Sequence, residues 1–402
     1  MSTIFSYVKG DKAIWATAGL LAVFSFLPVY SASSNLAYLY GDGSTFHYLV
    51  NHLIYLFLGF VIMFFIHKVP YHYFKGLSIL VMPILVVLLI YTISQGVTID
   101  GANASRWINI PFINKTFQTS TLASVVLLTY VARYMAKLKD REYNFVQTIL
   151  PLWVPVAIIL MLILPANFST TAILFAMVIL LVFIGGYPFK YLSIIVGSGL
   201  VVLLIFGLTA KAFPGLFPNR VDTWISRVEN FANDEDTEAD YQIERAKIAI
   251  ATGGISGNGI GKSVQRNFLP QSSSDFIYAI IVEEMGLIGG LGVMLAYLLL
   301  LFRIIIVATK ANCAFGKLLV IGLGLPIIVQ ALVNMAVAVE LFPVTGQTLP
   351  LISSGGSSIW MTCLALGIIL SVSAKREEEI KQIEDQESEE EENPLEILSE
   401  AI

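Results

Sequence analysis

The stretch NMAVAVELFPVTGQTLPLISSGGSS, from Asn334 to Ser358, decides how this chain folds. It leaves one apolar segment, crosses a linker that contains Pro343, Gly346 and Pro350, and enters a second apolar segment through serines and glycines. Proline removes a backbone donor and glycine permits dihedral angles that other residues avoid, so the linker predicts a helix end and an irregular crossing. A soluble core does not need that order of parts.

The start of the second apolar segment is a candidate ligand site. Ser353 or Ser354 can cap the next helix, and Gly355 and Gly356 would leave its first N–H groups open to a phosphate at the membrane surface. A capped turn, with two glycines that allow close helix packing, explains the same residues. Spacing alone leaves both interpretations open.

The composition places the whole chain in a membrane. Of its 402 residues, 56% are hydrophobic and 13% are charged, whereas soluble domains carry about 25% charged residues. A membrane-spanning helix needs about 20 apolar residues. We therefore predict an all-α polytopic membrane protein with about ten transmembrane helices. The expected spans lie near residues 13–30, 48–67, 74–94, 117–136, 146–164, 168–185, 190–210, 276–302, 317–339 and 353–374.

Basic residues predict the orientation, because Lys and Arg in short loops stay in the cytoplasm. With both termini inside, only Arg106 and Lys115 fall in short outer loops. We therefore expect a membrane domain over residues 1–374, with both termini cytoplasmic. Residues 211–275 would form one large extracytoplasmic catalytic loop between helices 7 and 8.

Residues 375–402 form an acidic tail with almost no aromatic side chains. Such a segment cannot bury enough apolar surface to become ordered, so we predict a disordered cytoplasmic tail. The net charge of the chain is −5, and no basic cluster predicts a nucleic-acid partner.

The predicted loop carries the candidate for chemistry. Asp275 follows three serines at the mouth of an apolar helix, but a helix start also explains a carboxylate there. Glycines between Gly253 and Gly261 do not fit a nucleotide loop, because no strand precedes them; a tight fold near a lipid phosphate and a flexible turn remain open. Glu283 and Glu284 lie inside the apolar helix, where ionisable groups usually face a partner or a cavity.

The opening stretch resembles the C-terminal signature of the SEDS family (shape, elongation, division and sporulation), which includes FtsW and RodA. The matching residues are Asn334, Pro343, Thr345, Gly346, Leu349, Pro350, Ser353, Gly355, Gly356, Ser357 and Ser358. Ala336 and Glu340 stand at positions where the family usually has glycine. The residues of this signature are more similar to those of FtsW than to those of RodA.

Two further blocks carry the resemblance. LPQSSSDFIYAIIVEEMG, from Leu269 to Gly286, is similar to a family segment whose aspartate is essential for catalysis, and Asp275 occupies that position. GANASRWINIPFINKTFQTSTLAS, from Gly101 to Ser124, matches less faithfully but includes Arg106 and Trp107. The departures are Thr119, Thr121 and Ser124 where Pro, Glu and Lys are usual, and Asn167 where an aspartate is common.

The resemblance implies a peptidoglycan glycosyltransferase that polymerises lipid II at the outer face of the bacterial plasma membrane, during septal synthesis in cell division. Asp275 would be the general base. Arg106, Lys262 and Arg266 are candidates to bind the pyrophosphate, although Arg106 could instead be a surface arginine stacked on Trp107. Ser353, Gly355, Gly356 and Ser357 are the other candidate substrate-binding residues. A divalent cation, Mg²⁺ or Mn²⁺, is the only cofactor that this chemistry suggests.

The implied partners are lipid II, membrane lipids, a class B penicillin-binding transpeptidase and other division proteins. A lipid II flippase would share the fold and substrate but needs alternating access and an internal polar pathway. An elongation-type RodA polymerase and a catalytically silent division scaffold would also be compatible with this pattern of apolar segments.

Overall fold

The structure is a computed structural model of the chain. It describes residues 8–40, 45–95, 106–110, 115–139, 141, 143–212, 238–269 and 272–392. In chain order, the helices are α1 (Lys12–Tyr40), α2 (Thr45–Ile66), α3 (Tyr73–Gln95), α4 (Thr119–Leu138), α5 (Phe145–Ile163), α6 (Phe168–Ile184), α7 (Phe189–Ala212), α8 (Glu238–Gly253), α9 (Ile277–Lys310), α10 (Ala314–Ala338) and α11 (Ser357–Glu392). Strands β1 (Trp107–Ile110) and β2 (Lys115–Gln118) form an antiparallel hairpin before α4.

The described helices confirm the predicted membrane fold. Nine of them are long and apolar enough to cross a membrane, and α6 is a shorter apolar helix of 17 residues. The break between α5 and α6 is real, because the Asn167 side chain accepts a hydrogen bond from the Thr170 N–H and caps α6. The ten predicted spans therefore correspond to these ten helices.

Helices α10 and α11 form the centre of the bundle. Their spans are the most buried of those described, whereas only 6% of the α7 span is buried. α10 packs against α9 and α4, and α11 packs along α2. A Cβ atom added at Gly59 of α2 would lie 2.9 Å from the sulfur of Cys363. The packing of α10 and α11 therefore keeps the chain segments at their ends in fixed positions.

Helix α9 is interrupted at Gly286, whose φ is 69° and ψ is −171°. The loop after α8 supplies the hydrogen bonds that the break leaves unmade. The N–H groups of Asn258 and Gly259 bind the carbonyls of Glu283 and Glu284, at 3.0 and 2.9 Å. Irregular backbone inside a membrane protein is tolerated where other protein groups satisfy it.

Gly253 at the end of α8 and Gly257 in the loop allow close backbone contact with α9. A Cβ atom at Gly253 would lie 2.1 Å from the Val282 carbonyl oxygen, and one at Gly257 would lie 2.2 Å from the Glu284 carbonyl oxygen. Both positions exclude any side chain unless the backbone moves. The tight fold expected here is present, but these two glycines pack against α9 rather than against open solvent where a phosphate could bind.

The tail differs from the prediction in its described part. α11 continues as helix to Glu392, although we predicted disorder from residue 375. A helix that leaves a packed bundle needs no new nucleation, and Glu and Lys are good helix formers. Residues 393–402 of the predicted tail lie outside the described residues, as do residues 213–237 of the predicted loop.

Glu340 follows α10 in a left-handed conformation, with φ of 60°. Its Oε2 atom lies 2.5 Å from Nζ of Lys247, but such an exposed pair contributes little. We expect Glu340→Gly to raise the free energy of unfolding by up to about 1 kcal/mol, because glycine adopts this conformation without steric cost. Thermal unfolding in detergent compares the stability of Glu340→Gly with that of Glu340→Ala, in which the Cβ atom keeps the backbone strain. A glycine variant less stable than the alanine variant would contradict the expectation.

Candidate functional site

Asp275 lies in the turn immediately before α9, which begins at Ile277. Two side chains from elsewhere in the chain hold this turn. Nδ2 of Asn334, near the end of α10, donates to the backbone carbonyl of Asp275 at 2.7 Å. The Ser353 hydroxyl donates to the carbonyl of Ser274 at 2.6 Å. The backbone of the candidate catalytic residue is thus fixed by the C-terminal signature.

The linker between α10 and α11 is itself held in an unusual shape. The Leu351 backbone is left-handed, with φ of 64°, and its side chain is buried. The Tyr297 hydroxyl of α9 donates to the Pro350 carbonyl, and the Ser354 N–H donates to the Ser273 carbonyl at 2.9 Å. A non-glycine residue stays in such a conformation only where its surroundings impose it. The linker and the turn that contains Asp275 are therefore joined by hydrogen bonds into one structural unit.

Gly346 places the Asp275 carboxylate beside a cavity. A Cβ atom added at Gly346 would lie 3.4 Å from Oδ2 of Asp275, and Gly346 has a left-handed φ of 65°. Gly346 also lines a space of about 860 Å³ between α4, α6, α10 and α11. The half-buried carboxylate therefore lies next to a space that is open to the outside.

The described residues that line this cavity are all uncharged. Its polar groups include Gln118, Gln330, Gln347, Thr121, Thr170 and Thr348. Thr121 and Ser124, which stand where the family usually has Glu and Lys, both face the cavity. Amides and hydroxyls can donate and accept hydrogen bonds to sugar hydroxyl and acetamido groups. Apolar residues such as Val125, Leu128 and Met177 complete the lining, which suits a neutral ligand better than an anion.

The serines of the signature do not have the helix-capping role that the sequence predicts for them. Neither Ser353 nor Ser354 caps α11, because this helix begins later, at Ser357. The buried Ser353 hydroxyl accepts from the Leu349 N–H at 2.7 Å, and the buried Ser357 hydroxyl accepts from the Gln118 N–H at 3.0 Å. Both hydroxyls thus tie chain segments together.

Gly355 and Gly356 are half-buried. A Cβ atom at Gly355 would lie 3.5 Å from the Thr348 side chain, and one at Gly356 would lie 3.5 Å from the Tyr55 ring. Gly356 also has a left-handed φ of 46°. Gly355 thus contacts the cavity-lining Thr348 and Gly356 contacts Tyr55, but none of the four signature positions named as substrate-binding is among the described residues that line the cavity.

Arg106 lies close to the cavity but outside it. Its Nε donates to the Ala166 carbonyl at 2.9 Å, at the turn between α5 and α6. With Thr119 and Asn167 it lines a separate space of about 280 Å³. Because α4 and α6 also line the main cavity, Arg106 flanks it, where it could contact a charged group outside the neutral lining.

The two other basic candidates, Lys262 and Arg266, are not among the residues that line the cavity. The Lys262 side chain is exposed on the loop after α8. Nη1 of Arg266 donates to the Ser31 hydroxyl of α1 at 2.7 Å, and that hydroxyl donates to Glu284. Arg266 is thus tied to the bundle through α1 and is not among the residues that line the cavity.

Glu283 and Glu284 are both buried and both bind the loop. Glu283 accepts from the Val264 and Gln265 N–H groups at 2.9 and 3.2 Å, and from the Ser263 hydroxyl. Glu284 accepts from the Ser263 N–H at 3.3 Å. Each therefore has a partner, as expected for ionisable groups inside an apolar helix.

The sequence analysis missed three amide side chains at this site. Asn334 bridges Asp275 and Gln347, since its Nδ2 donates to both backbone carbonyls at 2.7 Å. Gln330 donates to the Thr348 carbonyl at 2.8 Å, and Gln347 donates to Thr170 at 3.0 Å. Asn334 was visible as part of the signature. Gln330 lies on the apolar helix α10, where a polar residue is itself a signal, whereas Gln347 lies in the linker and gave no such signal.

A metal site made only of this chain's own side chains does not fit the described residues. Within them, no three His, Cys, Asp or Glu side chains are grouped to hold an ion. Mg²⁺ usually takes one or two carboxylates together with substrate phosphates, and Asp275 is a single carboxylate beside a neutral lining.

Comparison with known proteins agrees with the geometry. Residues 11–378 match the model of the FtsW/RodA/SpoVE family, described as cell cycle protein. A probable peptidoglycan glycosyltransferase FtsW of Geobacter sp. (strain M18) is 32% identical over 375 residues, which cover 91% of this chain and 97% of the relative. The relative of the same name from Coxiella burnetii is 31% identical, over 83% of this chain and 88% of its own.

Solved structures show the same fold. A chain from a peptidoglycan synthase complex superposes with a TM-score of 0.70 at 24% identity, over 91% of this chain and 98% of that chain. The rod shape determining protein RodA of Thermus thermophilus superposes with a TM-score of 0.64 at 23% identity, over 91% of this chain and 97% of RodA. Together with the family match over residues 11–378, these likenesses show that the chain belongs to the SEDS family of FtsW, RodA and SpoVE.

Proposed function

We propose that this membrane protein is a peptidoglycan glycosyltransferase that polymerises lipid II, with Asp275 as the general base. The observation that carries the proposal is the position of the Asp275 carboxylate, against Gly346 at the wall of an uncharged cavity that has both polar and apolar walls. The FtsW relatives, which are named as probable peptidoglycan glycosyltransferases, support the reaction class.

The reaction requires a single base. Asp275 takes the proton from the 4-hydroxyl of the acceptor sugar, and this oxygen forms a bond to the anomeric carbon of the donor. The bond from that carbon to the lipid pyrophosphate breaks, and the pyrophosphate leaves with the electron pair. Direct displacement inverts the α-linked donor to a β-linked glycan, so a covalent nucleophile is not needed. General base catalysis typically contributes a factor of about 10²–10⁴.

The neutral cavity suits the sugars rather than the pyrophosphate. Its glutamine and threonine side chains can pair with hydroxyl and acetamido groups. The pyrophosphate would stay outside the neutral lining, on the side where Arg106 lies. Burying an anion against uncharged walls is costly, so this division puts each part of the substrate in a suitable environment.

The remaining parts of the proposal concern the cell. We place the protein in the bacterial plasma membrane with both termini cytoplasmic and Asp275 at the outer face, as the basic residues of short loops predict. The similarity of the signature residues to FtsW favours septal synthesis over elongation. The similar chain from a peptidoglycan synthase complex supports a class B penicillin-binding transpeptidase as partner.

A lipid II transporter is the principal rival. Alternating access requires an internal polar pathway through the membrane. Among the described residues, those that line the cavity include no ionisable group, and the candidate base Asp275 lies at one end of the bundle. Surface chemistry is therefore favoured over transport.

The test supplies lipid II to the purified protein, alone and with its transpeptidase partner, and measures glycan strands by gel electrophoresis. In parallel, lipid II movement across vesicles that contain the protein is measured. Strand formation is the expected result. Movement of lipid II without strand formation would favour the transporter.

Gly346→Ala is expected to lower polymerisation at least about tenfold. A Cβ atom there would be strained at a positive φ, and the backbone shift that relieves this strain would move the Asp275 carboxylate, which the Cβ atom would touch. Small displacements of a reacting group can cost about 10²-fold. Gly186→Ala is the matched control, because Gly186 has a φ of 85° but open space around its Cβ position. Equal activity loss in both variants would mean that strain, and not contact with Asp275, is responsible.

A further inference from the structure

A second large space lies at the opposite end of the bundle from Asp275. It measures about 840 Å³ and is bounded by the ends of α4 and α6, the last turns of α9 and the first turns of α10. We call it the basic groove, because Lys139 and Lys317 line it. The segment of α10 from Lys317 to Asn334 is about 26 Å long at 1.5 Å per residue, which is close to the thickness of a bilayer core.

The walls of the basic groove are apolar and open to the outside. Ile184 and Ile305 are 43% and 48% exposed, and Leu318 and Ile321 continue the apolar wall along α10. The groove thus runs from the level of Lys317 about one helical turn into the membrane-spanning part of α10. At that depth, acyl chains are the natural occupants of an apolar surface.

The charge of the basic groove is one-sided. Both lysine side chains are exposed at its rim, and its described lining contains no acidic residue. The groove also adjoins Ala314, the first residue of α10, where the helix dipole favours negative charge. Lys137 and Lys310, at the C-terminal ends of α4 and α9, add positive charge at the same end of the bundle.

We propose that the basic groove binds an anionic phospholipid of the leaflet opposite Asp275. The Lys139 and Lys317 ammonium groups contact the lipid phosphate, and the acyl chains lie along Ile184, Ile305 and Ile321. A soluble anion would use the lysines but not the apolar walls, and a neutral lipid would use the walls but not the lysines. Basic pockets between helices at a membrane surface are suited to lipid head groups. This site is independent of the proposed polymerisation.

The test measures lipid binding to the purified full-length protein by native mass spectrometry after removal of bound lipid. Phosphatidylglycerol and phosphatidylcholine with the same acyl chains are titrated separately. We expect phosphatidylglycerol to bind with at least about tenfold higher affinity, and Lys139→Gln/Lys317→Gln to weaken it about 10–30-fold. Lys12→Gln/Lys190→Gln, two exposed lysines elsewhere, is the matched control and should bind as the unaltered protein does.

Several outcomes would overturn the proposal. Equal binding of the two lipids by the unaltered protein would show that charge is not recognised, whatever the variants do. An equal loss in the control variant would indicate general attraction to a basic face. If inorganic phosphate at millimolar concentration displaced the lipid, or if dihexanoyl phosphatidylglycerol bound as tightly as the long-chain lipid, the apolar walls would have no part in binding.

Discussion

Asp275→Asn is expected to lower the rate of glycan polymerisation by about 10²–10⁴-fold. Asparagine has nearly the same shape as aspartate and keeps the backbone carbonyl that Asn334 binds, but it cannot accept a proton from the sugar hydroxyl. The measurement is the initial rate of strand formation from lipid II, together with the affinity of the variant for lipid II. Loss of rate with unchanged lipid II binding is the pattern that a base predicts.

Glu340→Gln is the matched control for the Asp275 variant. It also neutralises a carboxylate, at the C-terminal end of α10 where Asn334 lies. Glu340 differs from Asp275 because it is exposed and pairs with Lys247. Its polymerisation rate should stay within about twofold of the unaltered protein, because exposed ion pairs contribute little. Normal polymerisation by Asp275→Asn would remove Asp275 from the reaction and leave the cavity without an identified base.

Glu283→Ala is expected to destabilise the loop after α8 by about 3 kcal/mol or more, since each buried donor left unpaired costs about 1–3 kcal/mol. Glu283 accepts from the Val264 N–H, the Gln265 N–H and the Ser263 hydroxyl, and is buried. Hydrogen exchange of residues 254–269 should increase, and the thermal unfolding temperature should fall. Polymerisation should decrease in parallel, because the loop is bound to the same helix that begins beside Asp275.

The control for this variant is Glu244→Ala on α8, whose side chain is exposed. It removes a carboxylate of the same length from the helix that precedes the loop. Glu283→Gln provides a graded case, because the amide keeps one acceptor oxygen. Exchange of residues 254–269 at the normal rate in Glu283→Ala would show that the loop is held by its glycine contacts with α9 alone.

Most of the fold was predictable from sequence because membrane helices are recognised by their length and apolar content. The ten expected spans correspond to described helices, including the separation of α5 from α6 at Asn167. Pro343 and Gly346 correctly indicated an irregular crossing between α10 and α11. Local composition is sufficient here, because a lipid environment leaves the backbone few choices besides a helix.

The position of the helix start after that crossing was not predictable. Ser353 has the side chain of a capping residue, but its hydroxyl binds the Ser274 carbonyl, which is 79 residues earlier in the chain. The contact of Arg266 with Ser31 of α1 was not predictable for the same reason. Partners so distant in sequence leave no local pattern.

The sequence by itself determined the membrane class, the membrane-spanning helices and the family, and it singled out Asp275 as the candidate base, because each of these depends on residue types at short spacing. Only the tertiary structure decided that Asn334 and Ser353 hold the Asp275 turn and that Gly346 leaves room beside its carboxylate. It also decided that the adjoining cavity is uncharged. The physical reason is that these properties arise from contacts between helices, and packing brings together residues that the sequence keeps far apart.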